Sequence, residues 1–244
     1  REVHAWSKLR HKNVLPLLGI TTEFDHTISI VSAWMEKGDA HHYVQDQGVD
    51  PRPLVRFHGL HYLHNYKPGS IFHGDLKGSN VLISQECNAL LTDFGLSRVV
   101  DSSLKLTRTD KCGGSLNWMA PELFDSGEVS AEADVWAFGM TALELFMRKI
   151  PFHSCRNGGA VMAAVMAVVI RGPPTRPSEG ETLTRLTDDW WNICSSCWNR
   201  QPVLRPPMSA VVKSISAMAS GIAVEENRTL KISGLVAIFM FSQV

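Results

Sequence analysis

The stretch His73-Gly74-Asp75-Leu76-Lys77-Gly78-Ser79-Asn80 constrains this chain more than any other. It gathers a carboxylate, an ammonium and a carboxamide within eight residues, and the apolar run Val81-Leu82-Ile83 follows at once. Thirteen residues after Asn80 a second carboxylate appears in Asp93-Phe94-Gly95. Asp, Lys and Asn are common loop residues, so one such stretch alone could arise by chance. Further motifs in order along the chain make the pattern specific.

The bulk composition narrows the function class. The 24 acidic residues balance 24 basic ones, and 44% of the 244 residues are hydrophobic. This is an ordinary globular composition with no electrostatic case for a nucleic-acid or anionic-membrane partner. The five cysteines (Cys87, Cys112, Cys155, Cys194, Cys197) are odd in number and scattered. That pattern argues for reduced thiols and an intracellular, cytoplasmic location. Cys194 and Cys197 form a C-x-x-C, but no second pair completes a zinc set, so they read as two helical cysteines. The chain begins Arg1-Glu2-Val3 and shows no signal-peptide pattern. The apolar run Ala160 to Ile170 has eleven residues, and the next longest is Leu235 to Phe241. Both fall short of the roughly 18–20 residues of a membrane span and read as a buried helix and an apolar tail.

His73-Gly74-Asp75-Leu76-Lys77 through Asn80, followed by Asp93-Phe94-Gly95, resembles the catalytic loop (H-R-D-L-x-x-x-N) and metal-binding turn (D-F-G) of eukaryotic protein kinases. Other segments fall into register. Glu2 lies nine residues before His11-Lys12-Asn13-Val14-Leu15-Pro16-Leu17-Leu18-Gly19, which resembles the small-lobe glutamate helix and following strand of the tyrosine-kinase-like serine/threonine branch. Thr27 to Ser32 reads as a strand, and the residues after it resemble the hinge, with Ser32 as gatekeeper and Met35 as a hinge residue whose backbone would meet adenine. Leu54 to His64 is helical in period and resembles the helix before the catalytic loop. Its His58, His61 and His64 recur every three residues, yet read as structural histidines rather than a metal face.

After Asp93 a polar stretch, Leu96 to Gly114, ends at Gly114-Ser115-Leu116-Asn117-Trp118-Met119-Ala120-Pro121-Glu122, which resembles an activation segment closed by A-P-E. Ser115 falls where the family places a hydroxyl against the catalytic Asp and Lys. Asp134-Val135-Trp136-Ala137-Phe138-Gly139 resembles the start of the helix at the centre of the large lobe, continuing apolar on all sides. Arg205 is expected to pair with Glu122, and Met208 to Ala219 to form a last helix.

The resemblance implies an α+β, protein-kinase-like two-lobe fold. The kinase domain would cover residues 1–219, with 1–35 as a small-lobe remnant and hinge, 36–219 as the mostly α large lobe, and 220–244 as a tail. It implies ATP and Mg²⁺ as cofactors and a protein Ser/Thr hydroxyl as acceptor. Asp75 would orient the acceptor hydroxyl and Lys77 would offset charge on the γ-phosphate. Asn80 and Asp93 would hold Mg²⁺, while Met35 and Leu82 would bracket adenine.

Two departures stand out. Gly74 replaces the family Arg that binds a phosphorylated activation segment, so such phosphorylation is expected to matter less. No segment supplies a G-x-G-x-x-G loop or the V-A-I-K lysine, so the chain reads as the carboxy-terminal four-fifths or so of a kinase domain, with weak ATP binding and an unpaired small-lobe sheet edge. The alternative of a different class is a catalytically impaired fragment or pseudokinase serving as a binding scaffold. Oligomeric state is not legible.

Overall fold

The structure, a computed structural model, describes residues 6–23, 29–93, 98–99, 115–125, 127–172 and 174–219. Its strands are β1 (Leu17–Thr21), β2 (Ser29–Ser32), β3 (Ile71–Phe72), β4 (Val81–Ile83), β5 (Ala89–Leu91) and β6 (Arg98–Val99). Its helices are α1 (Ala40–Tyr43), α2 (His58–His64), α3 (Glu122–Asp125), α4 (Ala131–Met147), α5 (Gly158–Arg171), α6 (Glu179–Thr182), α7 (Asp188–Ser196) and α8 (residues 208–219). The fold is α+β, with short sheets at one end and helices packed around α4.

Helix α4 is the axis because its sequence permits nothing else. Every residue from Ala133 to Phe146 is buried, as an all-round apolar helix requires. Ser130 caps it, its hydroxyl accepting from the Ala133 amide at 3.1 Å. The close approach of α7 depends on Gly139. A Cβ there would lie 2.7 Å from Trp198 Nε1 and 2.9 Å from Cys197 Cβ. Cys194 and Cys197 are fully buried free thiols, and burial pushes the Cys197 thiol up to about 12. They behave as the helical cysteines expected from the sequence.

Three two-stranded antiparallel sheets surround the region of interest. Strands β1 and β2 pair Thr21 with Ser29 and Ile20 with Ile30, with an irregularity between Leu17 and Gly19. Among the described residues neither strand meets a third, and Leu18, Ile20, Ile30 and Val31 stand exposed. Val14 bridges Leu91 in parallel and Trp6 Nε1 donates to the Leu15 carbonyl, which ties this small sheet to the large lobe. Glu2 lies outside the described residues, as do Thr27 and Ile28 of the expected second strand, the segment from Phe94 to Gly114 apart from β6, and the tail 220–244.

Two expectations need correction. The helix read over Leu54 to His64 is broken: a 3₁₀ turn, Leu54–Arg56, ends at Phe57, whose φ of 33° lies in the left-handed region, and α2 starts only at His58. Tertiary packing overrides the period there, because the buried Phe57 ring meets Phe138 of α4 edge-on at 5.4 Å. The apolar run Ala160 to Ile170 is a helix but only one narrow face of it is buried. Val161, Val165 and Val168 face the core, while Met162, Met166 and Ile170 are exposed, the last by 72%. Among the described residues no helix is long and apolar enough to cross a membrane.

The α4–α7 contact yields a stability prediction. Gly139→Ala inserts a methyl where Trp198 and Cys197 leave no space, and should cost about 1–3 kcal/mol in urea denaturation. A change below 0.5 kcal/mol would show that α7 can back away freely.

Candidate active site

The catalytic-loop sequence occupies the connection between β3 and β4, and α4 holds it at three heights. Asp134 is only 1% exposed. Its carboxylate accepts from the backbone amides of His73 and Gly74, both at 2.8 Å, and bonds His64 Nε2 at 2.9 Å. Further along, Thr141 Oγ1 donates to the Leu76 carbonyl at 3.4 Å. Glu144 accepts from the Gly78 amide at 2.9 Å. At about 100° per residue, positions 134, 141 and 144 share one face of the helix and span about 15 Å. Loop residues 73 to 78 therefore run alongside α4 in register.

His73 is fully buried and locks the turn from inside. Its Nδ1 accepts from the Asp75 amide at 3.3 Å and its Nε2 donates to the Thr92 carbonyl at 3.0 Å. Those roles need the neutral Nε2–H tautomer, and burial holds the His73 pKa below its ordinary value of 6.5. Gly74 adopts φ +78°, a conformation that costs a residue with a side chain but not glycine. Whatever the loss of the Arg removes from regulation, the backbone here gains an unstrained turn.

The side chains of Asp75, Lys77 and Asn80 converge after that turn. Lys77 Nζ lies 2.9 Å from Asp75 Oδ2 and donates to Ser115 Oγ at 3.0 Å. Asn80 Nδ2 donates to the Asp75 carbonyl at 2.8 Å and to Asp75 Oδ2 at 3.1 Å. Asp75 Oδ1 is buried and has no hydrogen-bond partner among the described residues. An unpaired buried acceptor costs about 1–3 kcal/mol. The β4–β5 hairpin explains the spacing to Asp93. Val81, Leu82 and Ile83 pair with Leu91, Leu90 and Ala89, and the Thr92 amide then donates to the Asn80 carbonyl at 3.0 Å. The hairpin thus returns the chain to Asn80 at Thr92, and Asp93, at φ 56°, comes next in the chain.

Met35 and Leu82 sit apart from this cluster, both half-buried against the core. The Met35 carbonyl accepts from the Gly38 amide at 3.0 Å, the Ile83 amide donates to the Gly38 carbonyl at 2.9 Å, and Asp39 bridges Leu82. These bonds hold the hinge turn against β4. The Arg205–Glu122 pair forms with both guanidinium nitrogens, at 2.6 and 2.8 Å, and Arg205 also lies over the Trp136 ring. It fastens Glu122 of α3 to α4.

Sequence reading missed Glu144 and His41. Glu144 is 1% exposed and also accepts from Trp118 Nε1 at 2.8 Å, while its other oxygen lies 2.7 Å from His41 Nδ1. The available signal was a carboxylate between Leu143 and Leu145 in an otherwise apolar helix. Among the described residues no cluster of three or more His, Cys, Asp or Glu could hold a metal. His64 is spent on Asp134 and His61 on Asn65, so these two of the three histidines make structural bonds.

Comparison with known proteins decides the family. The profile described as protein tyrosine and serine/threonine kinase matches residues 1–215. The chain belongs to this kinase family. It is 33% identical over 219 residues to receptor-interacting serine/threonine-protein kinase 3 of Rattus norvegicus, covering 84% of this chain and 45% of that protein. It is 27% identical over 238 residues to the probable serine/threonine-protein kinase PBL4 of Arabidopsis thaliana, covering 89% and 56%. It is 27% identical over 223 residues to the megakaryocyte-associated tyrosine-protein kinase of Mus musculus, covering 88% and 40%. The chain spans about half the length of these curated relatives.

Two predictions follow from the loop's anchoring. Asp134→Asn keeps the shape but turns an NH₂ towards a donor, so stability should drop by about 1–3 kcal/mol, and amide hydrogen exchange across residues 71–80 should accelerate. Unchanged exchange there would remove Asp134 as the anchor. The second concerns pH. A histidine whose folded pKa lies below its unfolded value stabilises above that value and loses stability as pH falls through the folded pKa. Burial puts His73, His11 and His58 in this class, with neighbouring positive charge adding to the last two. Denaturation midpoints should fall as the pH is lowered from about 7 through the unperturbed histidine range near 6.5, and less steeply in His73→Gln.

Proposed function

We propose that this chain is the larger part of a protein kinase domain that transfers the γ-phosphate of ATP to serine and threonine hydroxyls of proteins. The observation that carries the reading is Asp75. Its Oδ2 is held by Lys77 and Asn80 while its buried Oδ1 has no partner among the described residues. In this reading the Oδ1 lone pair receives the acceptor hydroxyl's hydrogen bond and orients its oxygen. Lys77, already bridging Asp75 and Ser115, lies where an ammonium can offset charge on the transferred group.

The donor chemistry fits a magnesium nucleotide. Asn80 commits its Nδ2 to Asp75, which leaves its carboxamide oxygen as the cation-facing atom, and Asp93 adds a hard carboxylate. Two protein oxygens suit Mg²⁺, which completes its shell with water and substrate phosphates. When bound, the metal nucleotide supplies the phosphoryl group and neutralises its oxygens. Met35 and Leu82, joined through the Gly38 and Asp39 contacts, supply the hinge backbone and apolar floor for adenine. Lys77 two residues after Asp75 favours a serine/threonine acceptor of the tyrosine-kinase-like branch. Gly74 lacks the guanidinium that would chelate a phosphorylated activation segment, so such phosphorylation adds little to activity.

The decisive assay incubates the 244-residue chain with labelled Mg-ATP and a mixed protein substrate. Phosphoserine and phosphothreonine should form, and Asp75→Asn should abolish them. Mg-ATP, held weakly without a Gly-rich loop, should raise the melting temperature of the parent chain only slightly, and Asp93→Ala should remove that small shift. Transfer equal to that of Asp75→Asn, with no nucleotide-dependent shift, would favour the binding-scaffold alternative.

A further inference from the structure

Glu144 is a buried carboxylate that bonds three parts of the molecule at once. Its Oε2 accepts from the Gly78 amide, next to Lys77 in the catalytic loop, at 2.9 Å and from the Trp118 indole of the 115–118 turn at 2.8 Å. Its Oε1 lies 2.7 Å from Nδ1 of His41, on the short helix that follows the hinge. Gly78 and Trp118 are neutral donors. His41 is the only titratable group that the described hydrogen bonds and ion pairs bring to Glu144, so it alone among these partners can balance the buried charge.

We propose that His41, as an imidazolium, is a positioning residue: through Glu144 it holds the Lys77–Gly78 segment and Trp118 in one arrangement, and this hold weakens as His41 loses its proton. The consequence for catalysis rests on the kinase reading given above. The surroundings of His41 favour the charged form. Glu144 faces it from α4, and Asp39, the cap of its own helix, adds a second negative charge. Against these, His42 stands edge-on at 5.5 Å but is itself paired with Asp39 Oδ2 at 2.8 Å. The hydrogen bond to Glu144 accordingly raises the His41 pKa above 6.5, with burial opposing.

The sign is opposite to that of His73. A histidine with a raised folded pKa contributes fully below 6.5, and its contribution is lost as pH rises through the folded value. Deprotonation does not break the contact, because neutral imidazole can still donate from Nδ1. What disappears is the charge on the donor, and a charge-assisted bond is roughly twice as strong as a neutral one. Glu144 then balances its buried charge on dipoles alone, and Gly78 and Trp118 loosen together. A small displacement of Lys77 suffices to slow transfer, since misplacement by about 1 Å can cost on the order of 10²-fold in rate.

The test has two arms on the full chain. In the first, the His41 ring carbon and the Trp118 indole N–H are followed by NMR against pH, each assigned by its loss in His41→Gln and Trp118→Phe. His41 should titrate above 6.5, and the indole resonance of the parent chain should shift with the same midpoint. In His41→Gln that indole shift should vanish. A His41 midpoint at or below the ordinary value, or an indole resonance that ignores it, overturns the proposal whether or not the chain transfers phosphate.

In the second arm, kcat and the KM for Mg-ATP are measured against pH. The parent kcat should fall on the order of tenfold as His41 deprotonates, with KM unchanged. His41→Gln should give a flat, lower profile across that window, and His41→Lys should restore the alkaline limb. A His41→Gln profile that superimposes on the parent's overturns the positioning role while leaving the kinase reading intact. If no variant exceeds the Asp75→Asn background, the kinase reading fails, and the NMR arm still decides whether His41 governs Glu144.

Discussion

The carboxylate of Asp134 takes two consecutive backbone amides, His73 and Gly74, and the ring of His64 in a region closed to water. A buried charge is tolerable only when donors surround it, and donors that close are tolerable only when the chain is bent to aim them. Carboxylate and turn therefore require each other. Once they are joined, the direction of the loop along α4 is set, and Thr141 and Glu144 can meet Leu76 and Gly78 at later turns of the same face. Asp75, Lys77 and Asn80 inherit their positions from these backbone bonds, because each lies one or two residues from an anchored amide or carbonyl.

This arrangement separates what holds the site from what acts in it. The side chains of α4 bond mainly to backbone, so they specify the path of the loop and leave its side chains available. The charged groups of the loop bond to one another: Lys77 to Asp75 and Ser115, Asn80 to Asp75. One acceptor, Asp75 Oδ1, remains buried without a partner among the described residues. The Arg205–Glu122 fork plays the same supporting part for the segment after Ser115, with the guanidinium also resting on Trp136.

Two histidines bind this scaffold to pH in opposite senses. His73 is buried neutral between an amide and a carbonyl, and acid opposes it. The hydrogen bond to Glu144 raises the pKa of His41, and alkali opposes its charged form. The difference comes from burial and partner together: His73 is fully buried among backbone groups, whereas His41 is only partly buried and bonds a carboxylate. Backbone dipoles cannot offset the cost of burying a cation, whereas a buried carboxylate more than offsets it.

The motif-bearing residues were legible because their order and spacing are themselves physical requirements. Twelve residues between Asn80 and Asp93 are what a short hairpin needs to go out and return. An apolar run from Val135 to Phe146, broken by only a few polar positions, can be stable as a helix only at the centre of a lobe. The break at Phe57 and the one-sided burial of α5 were not legible, because a helical period records local preference, whereas Phe138 and the neighbouring core decide which turn survives. Glu144 and His41 lie 103 residues apart, and no local pattern links them. The sequence alone determined the kinase family, the site residues to inspect and the helix they lean on. Tertiary structure alone decided which buried charges meet, since their energies depend on the few ångströms and the loss of water that only packing imposes.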